Sequence, residues 1–285
     1  VEPLEHGRLT VSPASTNLAL SSLRAVDLTA ALPDRQFAHP IGRAGADIAG
    51  KVHTEEWMRR LSPEMAHLCR IDPVMKGLIA EVGPYALPSP ARRSPFESLV
   101  RAIAYQQLHA KAAECILARF MALCPGRRFP QPSDVLALEP ERIREAGFSR
   151  AKVAALQDLA VKAIDGTVPT AAVIRRLEDD AIVERLMAVR GIGRWTVEML
   201  LIFQLGRPDV LPVDDFGVRN GFRIAYKKAV MPTPQELLRY GERWRPYRTA
   251  AAWYLWRAVD QAKAMRTAAL LSKPSTRRIS NGRPA

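Results

Sequence analysis

Two neighbouring acids, Asp214 and Asp215, stand in Leu211-Pro212-Val213-Asp214-Asp215-Phe216-Gly217-Val218-Arg219, where a helix is predicted to begin. One carboxylate there is accounted for as an N-cap, most naturally Asp214, because a side-chain oxygen at that position accepts a free first-turn amide. The second acid needs another role. One helix upstream, Gly191-Ile192-Gly193-Arg194-Trp195-Thr196 follows directly on the apolar run Leu186-Met187-Ala188-Val189. Two glycines permit a tight turn and a close backbone approach, and the open amides of the next helix make an anion site suited to a phosphate. Glycines at helix-helix turns also serve purely steric ends, so this turn alone does not specify a ligand.

Metal-dependent chemistry has little support. His6, His39, His53, His67 and His109 show no HExxH or comparable spacing. Cys69, Cys115 and Cys124 are too few and too scattered for a disulfide framework, a four-cysteine metal site or an iron-sulfur cluster, and are expected as buried reduced thiols. Acids, bases and positioning remain. A further irregularity lies at Gln106 and Gln107, which continue the apolar stripe Phe96, Leu99, Val100, Ile103 where a core helix would carry aliphatics. Such a polar break marks either a site or a plain helix end.

The elements that must hold these residues read as helices, with no convincing strand alternation. Ser94-Pro95 opens a helix to about Gln106, followed by Ala110 to Leu123, Ser133 to Ala146, Arg150 to Asp165 and Ala171 to Ala188. Gly126, Gly147 and Gly166 fall where helix ends favour a left-handed residue. Further helices are predicted over Trp195 to Leu205, Phe216 to Tyr226, Pro234 to Trp244 and Arg248 to Met265, with a capping box at Thr233-Pro234-Gln235-Glu236. Another, from about Glu55 to Leu68, is expected to pack outside the main body. Residues 1–50 read as a weakly ordered arm, and Lys263, Arg266, Lys273, Arg277, Arg278 and Arg283 make residues 263–285 a basic tail.

A net charge of +13 favours polyanionic partners, nucleic acid first, although charge alone fits a solvated basic surface equally well. No run approaches a membrane span or a secretory signal, so the expectation is a protein inside the cell with no membrane partner.

The hairpin and the LPVDDFGVRN segment, with Tyr105-Gln106-Gln107-Leu108, Gly147-Phe148-Ser149 with Lys152, and Glu242-Arg243-Trp244-Arg245-Pro246-Tyr247-Arg248, resemble the helix-hairpin-helix (HhH-GPD) DNA glycosylases. The likeness runs from Phe96 to Ala258 and is closest to the alkylation-repair branch. It implies an all-α, two-lobed fold with the active site in the interlobe cleft, organised as a helical region over 51–93 and a glycosylase domain over 94–262. It also implies a monomeric enzyme that flips alkylated purines such as 3-methyladenine and 7-methylguanine out of damaged double-stranded DNA and hydrolyses the glycosidic bond, in the cytoplasm at a nucleoid or in a nucleus. By the same resemblance Asp215 is the catalytic carboxylate, and Trp195, Trp256, Gln106 and Met199 line the base pocket. Gln107 or Leu108 enters the duplex, and Gly191, Gly193, Arg194 and Thr196 meet the DNA backbone. Trp195 stands where lyase-type relatives carry a nucleophilic lysine, which implies no strand cleavage. No cofactor is implied for catalysis, but a structural Na+ or K+ is, on the carbonyls of Met187, Val189 and Ile192. The sequence shows no second acid placed to protonate a departing base. The alternatives are a hairpin module that only docks on DNA and a glycosylase for oxidised or mismatched bases.

Overall fold

The computed structural model describes residues 61–88 and 92–271, so the expected arm over 1–50 and the segment 272–285 lie outside the described residues. All regular structure among the described residues is helical: α1 (Pro63–Ile71), α2 (Pro73–Val82), α3 (Pro95–Tyr105), α4 (Ala110–Ala122), α5 (Pro132–Ala137), α6 (Pro140–Glu145), α7 (Arg150–Ile164), α8 (Ala171–Ile174), α9 (Asp179–Met187), α10 (Arg194–Phe203), α11 (Phe216–Ala225), α12 (Pro234–Gly241) and α13 (Arg248–Leu271), with a 3-10 turn at Glu242–Trp244. Local signals set many boundaries. Ser94, Ser149 and Thr233 each accept the amide three residues on, and the Thr233–Glu236 capping box forms as expected. Gly126, Gly147 and Gly166 all have positive φ.

These helices build two lobes around separate cores. One core gathers side chains from Phe96 to Val210; the other joins Met65 to Ile79 with Leu211 to Ala258. From residue 61 the described chain thus contributes first to the second lobe, builds the first with α3 to α10, and returns to the second with α11 to α13. Trp256 packs against both cores. The crossing from one to the other, at Val210-Leu211, lies just ahead of the paired acids.

Several expectations are corrected. The helix predicted over 133–146 is two, because Pro140 cannot continue α5 and Leu138 is extended. The helix predicted over 171–188 breaks between Ile174 and Asp179, where Glu178 is extended and starts α9. Of the helix expected over 55–68, residues 55–60 lie outside the described residues; α1 starts at Pro63, and Leu68 is fully buried in the second core instead of packing outside. Of the region given as 51–93, the described residues 61–88 contribute side chains to that second core. α13 continues to Leu271, past the expected start of the basic tail at 263. Of the cysteines only Cys69 is buried; Cys115 is exposed.

Candidate active site

Asp215 and not Asp214 is the N-cap of α11: its Oδ1 accepts the Val218 amide at 2.7 Å, whereas Asp214 is exposed. The cap and the candidate catalytic acid are one residue. Asp215 is only 6% exposed, and among the described residues no cation pairs with it. Instead, the Trp256 indole N–H donates to Oδ1 at 2.9 Å, and the Trp195 indole N–H donates to Oδ2 at 2.8 Å. Three N–H donors hold the carboxylate in one orientation. Oδ1 accepts two of them and Oδ2 one, leaving an acceptor position on Oδ2.

Each donor reaches Asp215 for a local reason. Trp195 sits in the first turn of α10, carried there by the hairpin. Trp256 sits on α13, and α11 and α13 approach so closely that a Cβ at Gly221 would overlap the Leu255 carbonyl, while one at Gly217 would press on the Trp256 ring. Glycine at both positions is what lets the indole lie over the carboxylate. The chain ahead of Asp215 is tied to the start of α13: Arg248 Nε donates to Asp209 Oδ1 at 2.8 Å, Arg245 Nη1 to Asp209 Oδ2 at 2.7 Å, and the Thr249 hydroxyl accepts the Val210 amide at 2.9 Å. The Glu242 to Arg248 segment therefore serves to hold the acid's approach in place.

At the hairpin, Gly191 takes φ of 77° and Gly193 starts α10 without a side-chain cap. The first amides of α10 stay open to a ligand. Arg194 is exposed beside them, Met199 is buried on the same helix, and Thr196, expected to meet the DNA backbone, is buried at 8% exposure. Gln106, expected to line the pocket, donates its amide to the Gly191 carbonyl at 2.9 Å and bridges the end of α3 to the hairpin. Gln107 is exposed with φ of 58°, while Leu108 packs against the first core. The Met187 and Ile192 carbonyls carry no partner among the described residues, while Val189 O accepts the Ile192 amide.

Glu198 is an acid that sequence reading missed. It is 4% exposed, its Oε1 accepts Arg194 Nε at 3.1 Å, and its Oε2 is buried without a hydrogen-bond partner. Burial pushes its carboxyl up to about 7, against the pull of Arg194 and reinforced by Asp214 and Asp215. The signal was in the sequence as the lone charge inside Val197-Glu198-Met199-Leu200-Leu201-Ile202-Phe203.

Two helical lobes, a hairpin with open amides and an enclosed aspartate between indoles from both lobes define a helix-hairpin-helix DNA-processing fold. The chain belongs to the HhH-GPD superfamily of base excision DNA repair proteins, whose family model matches residues 100–246. It is 41% identical over 216 residues to DNA-3-methyladenine glycosylase 1 of Schizosaccharomyces pombe, covering 74% of this chain and 95% of that protein. Among solved structures it is similar to the S. pombe 3-methyladenine DNA glycosylase Mag1 in complex with abasic DNA, with TM-score 0.62 and 42% identity over 69% of this chain and 96% of that one. It is also similar to a DNA-3-methyladenine glycosidase from Bacillus halodurans, with TM-score 0.65 and 33% identity over 71% and 92% of the two chains.

Proposed function

We propose that this protein is a DNA glycosylase of base-excision repair that swings alkylated purines, 3-methyladenine and 7-methylguanine, out of damaged duplex DNA and hydrolyses their N-glycosidic bond. The observation that carries this reading is the Asp215 carboxylate, enclosed between Trp195 and Trp256 where the lobes meet and held, among the described residues, without a cationic partner. As the bond from C1′ to the purine nitrogen stretches, positive charge develops on the sugar, and a fixed carboxylate in a dry site stabilises it. Water then adds to C1′ and gives up a proton, for which Oδ2 of Asp215 keeps an acceptor position. The purine leaves with the bonding electron pair. Alkylation at N3 or N7 has already made that purine cationic, so it departs neutral and needs no general acid. The two indole faces attract such a cation by about 0.5–2 kcal/mol per favourable contact.

Binding follows the same plan. The open amides of Gly193, Arg194 and Trp195 take a phosphate near the lesion, and the exposed Gln107 enters the duplex in preference to the packed Leu108. The partly free carbonyls of Met187, Val189 and Ile192 are neutral oxygen donors that fit a monovalent cation, which would add positive charge beside that phosphate. Trp195 offers no amine, so the strand is left intact and the reaction needs no cofactor. The protein acts as a monomer wherever duplex DNA is held, nucleoid or nucleus. No described helix is long and apolar enough to cross a membrane.

The test is single-turnover excision from duplexes that differ only in the lesion. Cationic purines should leave well ahead of hypoxanthine or 8-oxoguanine, Asp215→Asn should slow release by at least about 100-fold with DNA binding retained, and borohydride should trap no covalent adduct. Near-normal release by that variant would overturn the assignment. Equal rates for neutral lesions would call for a general acid, with Glu198 the buried carboxyl whose charge couples to Asp215.

A further inference from the structure

Lys152 is the third residue of α7, at the positive end of a helix dipole, where an acid and not a lysine is favoured. The turn before it is built to place it there. Gly147 passes α4 where a Cβ would press on Ile116, Phe148 fills the first core edge-on to Phe120, and the Ser149 hydroxyl caps α7 by accepting the Lys152 amide. The ammonium lies at the negative C-terminal end of α3 instead of against a carboxylate. It donates to the Ala104 carbonyl at 2.9 Å and to the Gln106 carbonyl at 2.8 Å, and burial lowers its pKa.

The next residue, Gln107, has φ of 58°, a left-handed conformation that side chains other than glycine rarely hold without support from their surroundings. Lys152 supplies that support by fixing the carbonyls on the approach to the turn. The same helix reaches the hairpin two turns further on, where Asp158 Oδ2 accepts the Arg190 amide at 2.7 Å. Between these two points Gln106 closes the loop by donating to the Gly191 carbonyl. Six residues of α7, a rise of about 9 Å, thus separate the group that holds the turn from the group that holds the hairpin.

We propose that Lys152 is a positioning residue for insertion into the duplex: it holds the turn carrying Gln107 in its strained form, and through α7 keeps that turn in register with the phosphate-binding hairpin. This rests on the reading of the protein as a base-flipping glycosylase. Lys152 then matters where a paired base must be displaced and matters little where the target is already unpaired.

The experiment compares single-turnover excision of 7-methylguanine from a fully paired duplex with excision from a single-nucleotide bulge, for the full chain and its Lys152→Met and Lys152→Gln variants. The paired rate should fall by about 100-fold, the cost of a misplaced positioning group, and the bulge rate much less, so that their ratio widens at least tenfold. In a Gln107→Ala background the same substitutions should add little, because the turn they act through has already lost its inserting group. A parallel fall on both substrates, or no fall on either, overturns the proposal. Should Lys152→Met not fold, as read by thermal melting, Lys152→Gln carries the test. Should the unaltered chain release no base from either substrate, the functional reading fails separately. Insertion is then read from the fluorescence of 2-aminopurine beside an abasic site on binding: the variants should bind yet lose most of the change, and an undiminished change overturns the proposal.

Discussion

Asp72 and Asp215 are both buried aspartates that cap a helix and accept indole N–H groups, yet their surroundings give them opposite tasks. Asp72, 1% exposed, accepts the Val74 and Met75 amides on Oδ1, and the Tyr226 hydroxyl at 2.6 Å, the Trp244 indole at 3.0 Å and the Tyr240 hydroxyl at 3.3 Å on Oδ2. Five donors exceed the roughly four acceptor positions of a carboxylate, so nothing is left for a ligand. Asp215 has three donors, contributed from both lobes, and one acceptor position to spare. Saturation makes the first acid a clasp between α2 and the α11 to α12 region. Incomplete saturation at a lobe boundary makes the second available for chemistry.

The sharpest test is the same substitution at both places. Asp215→Asn keeps size and a capping oxygen and sets its new amide against one indole donor only, so unfolding in urea should shift by about 1–2 kcal/mol while base release is lost. Asp72→Asn should cost about 2–4 kcal/mol of stability, because one remaining oxygen cannot serve both the amides and three aromatic donors, and the new amide hydrogens face donors. Equal stability losses would erase the distinction drawn here.

A somewhat smaller effect is expected from Gly221→Ala, which overfills the α11–α13 contact and should cost about 1–3 kcal/mol. Because those helices carry Asp215 and Trp256, excision should fall more than DNA binding does. A variant that excises normally would show that the Trp256 contact does not depend on this approach.

The smallest effect concerns Glu198. Its folded value, about 7, lies above the unfolded value of 4.5, so the folded state binds the extra proton between them. Stability contributed by this group is therefore present at low pH and declines as pH rises from about 4.5 to about 7, by roughly 1–3 kcal/mol. Glu198→Gln should flatten that decline in melting experiments and make the protein more stable than its parent at pH 8. An unchanged pH profile would place the carboxyl in contact with solvent.

Much of the frame was legible because its causes are local. Ser94-Pro95, Ser149 and Thr233 announce helix starts within three residues, and the apolar stripe from Phe96 to Ile103 announces the buried face. The break at Pro140 was equally local and was overlooked for a longer periodic pattern, whereas no glycine or proline announces the break after Ile174. The choice between Asp214 and Asp215 as cap turned on a one-residue shift that helix signals do not resolve. Lys152 stood inside a recognised motif, but its target at the end of α3 is 46 and 48 residues away in the chain.

By itself the sequence determined the helical class, the hairpin and the pair of acids, since caps, turns and periodicity act over one or two helical turns. Only the tertiary structure decided what those acids became. The indoles that hold Asp215 arrive from 20 and 41 residues away, and the aromatic groups that saturate Asp72 from 154 to 172 residues away. A carboxylate's chemistry follows from the donors and solvent around it in space, and helix packing brought those together through two glycines whose missing side chains set how closely α11 meets α13.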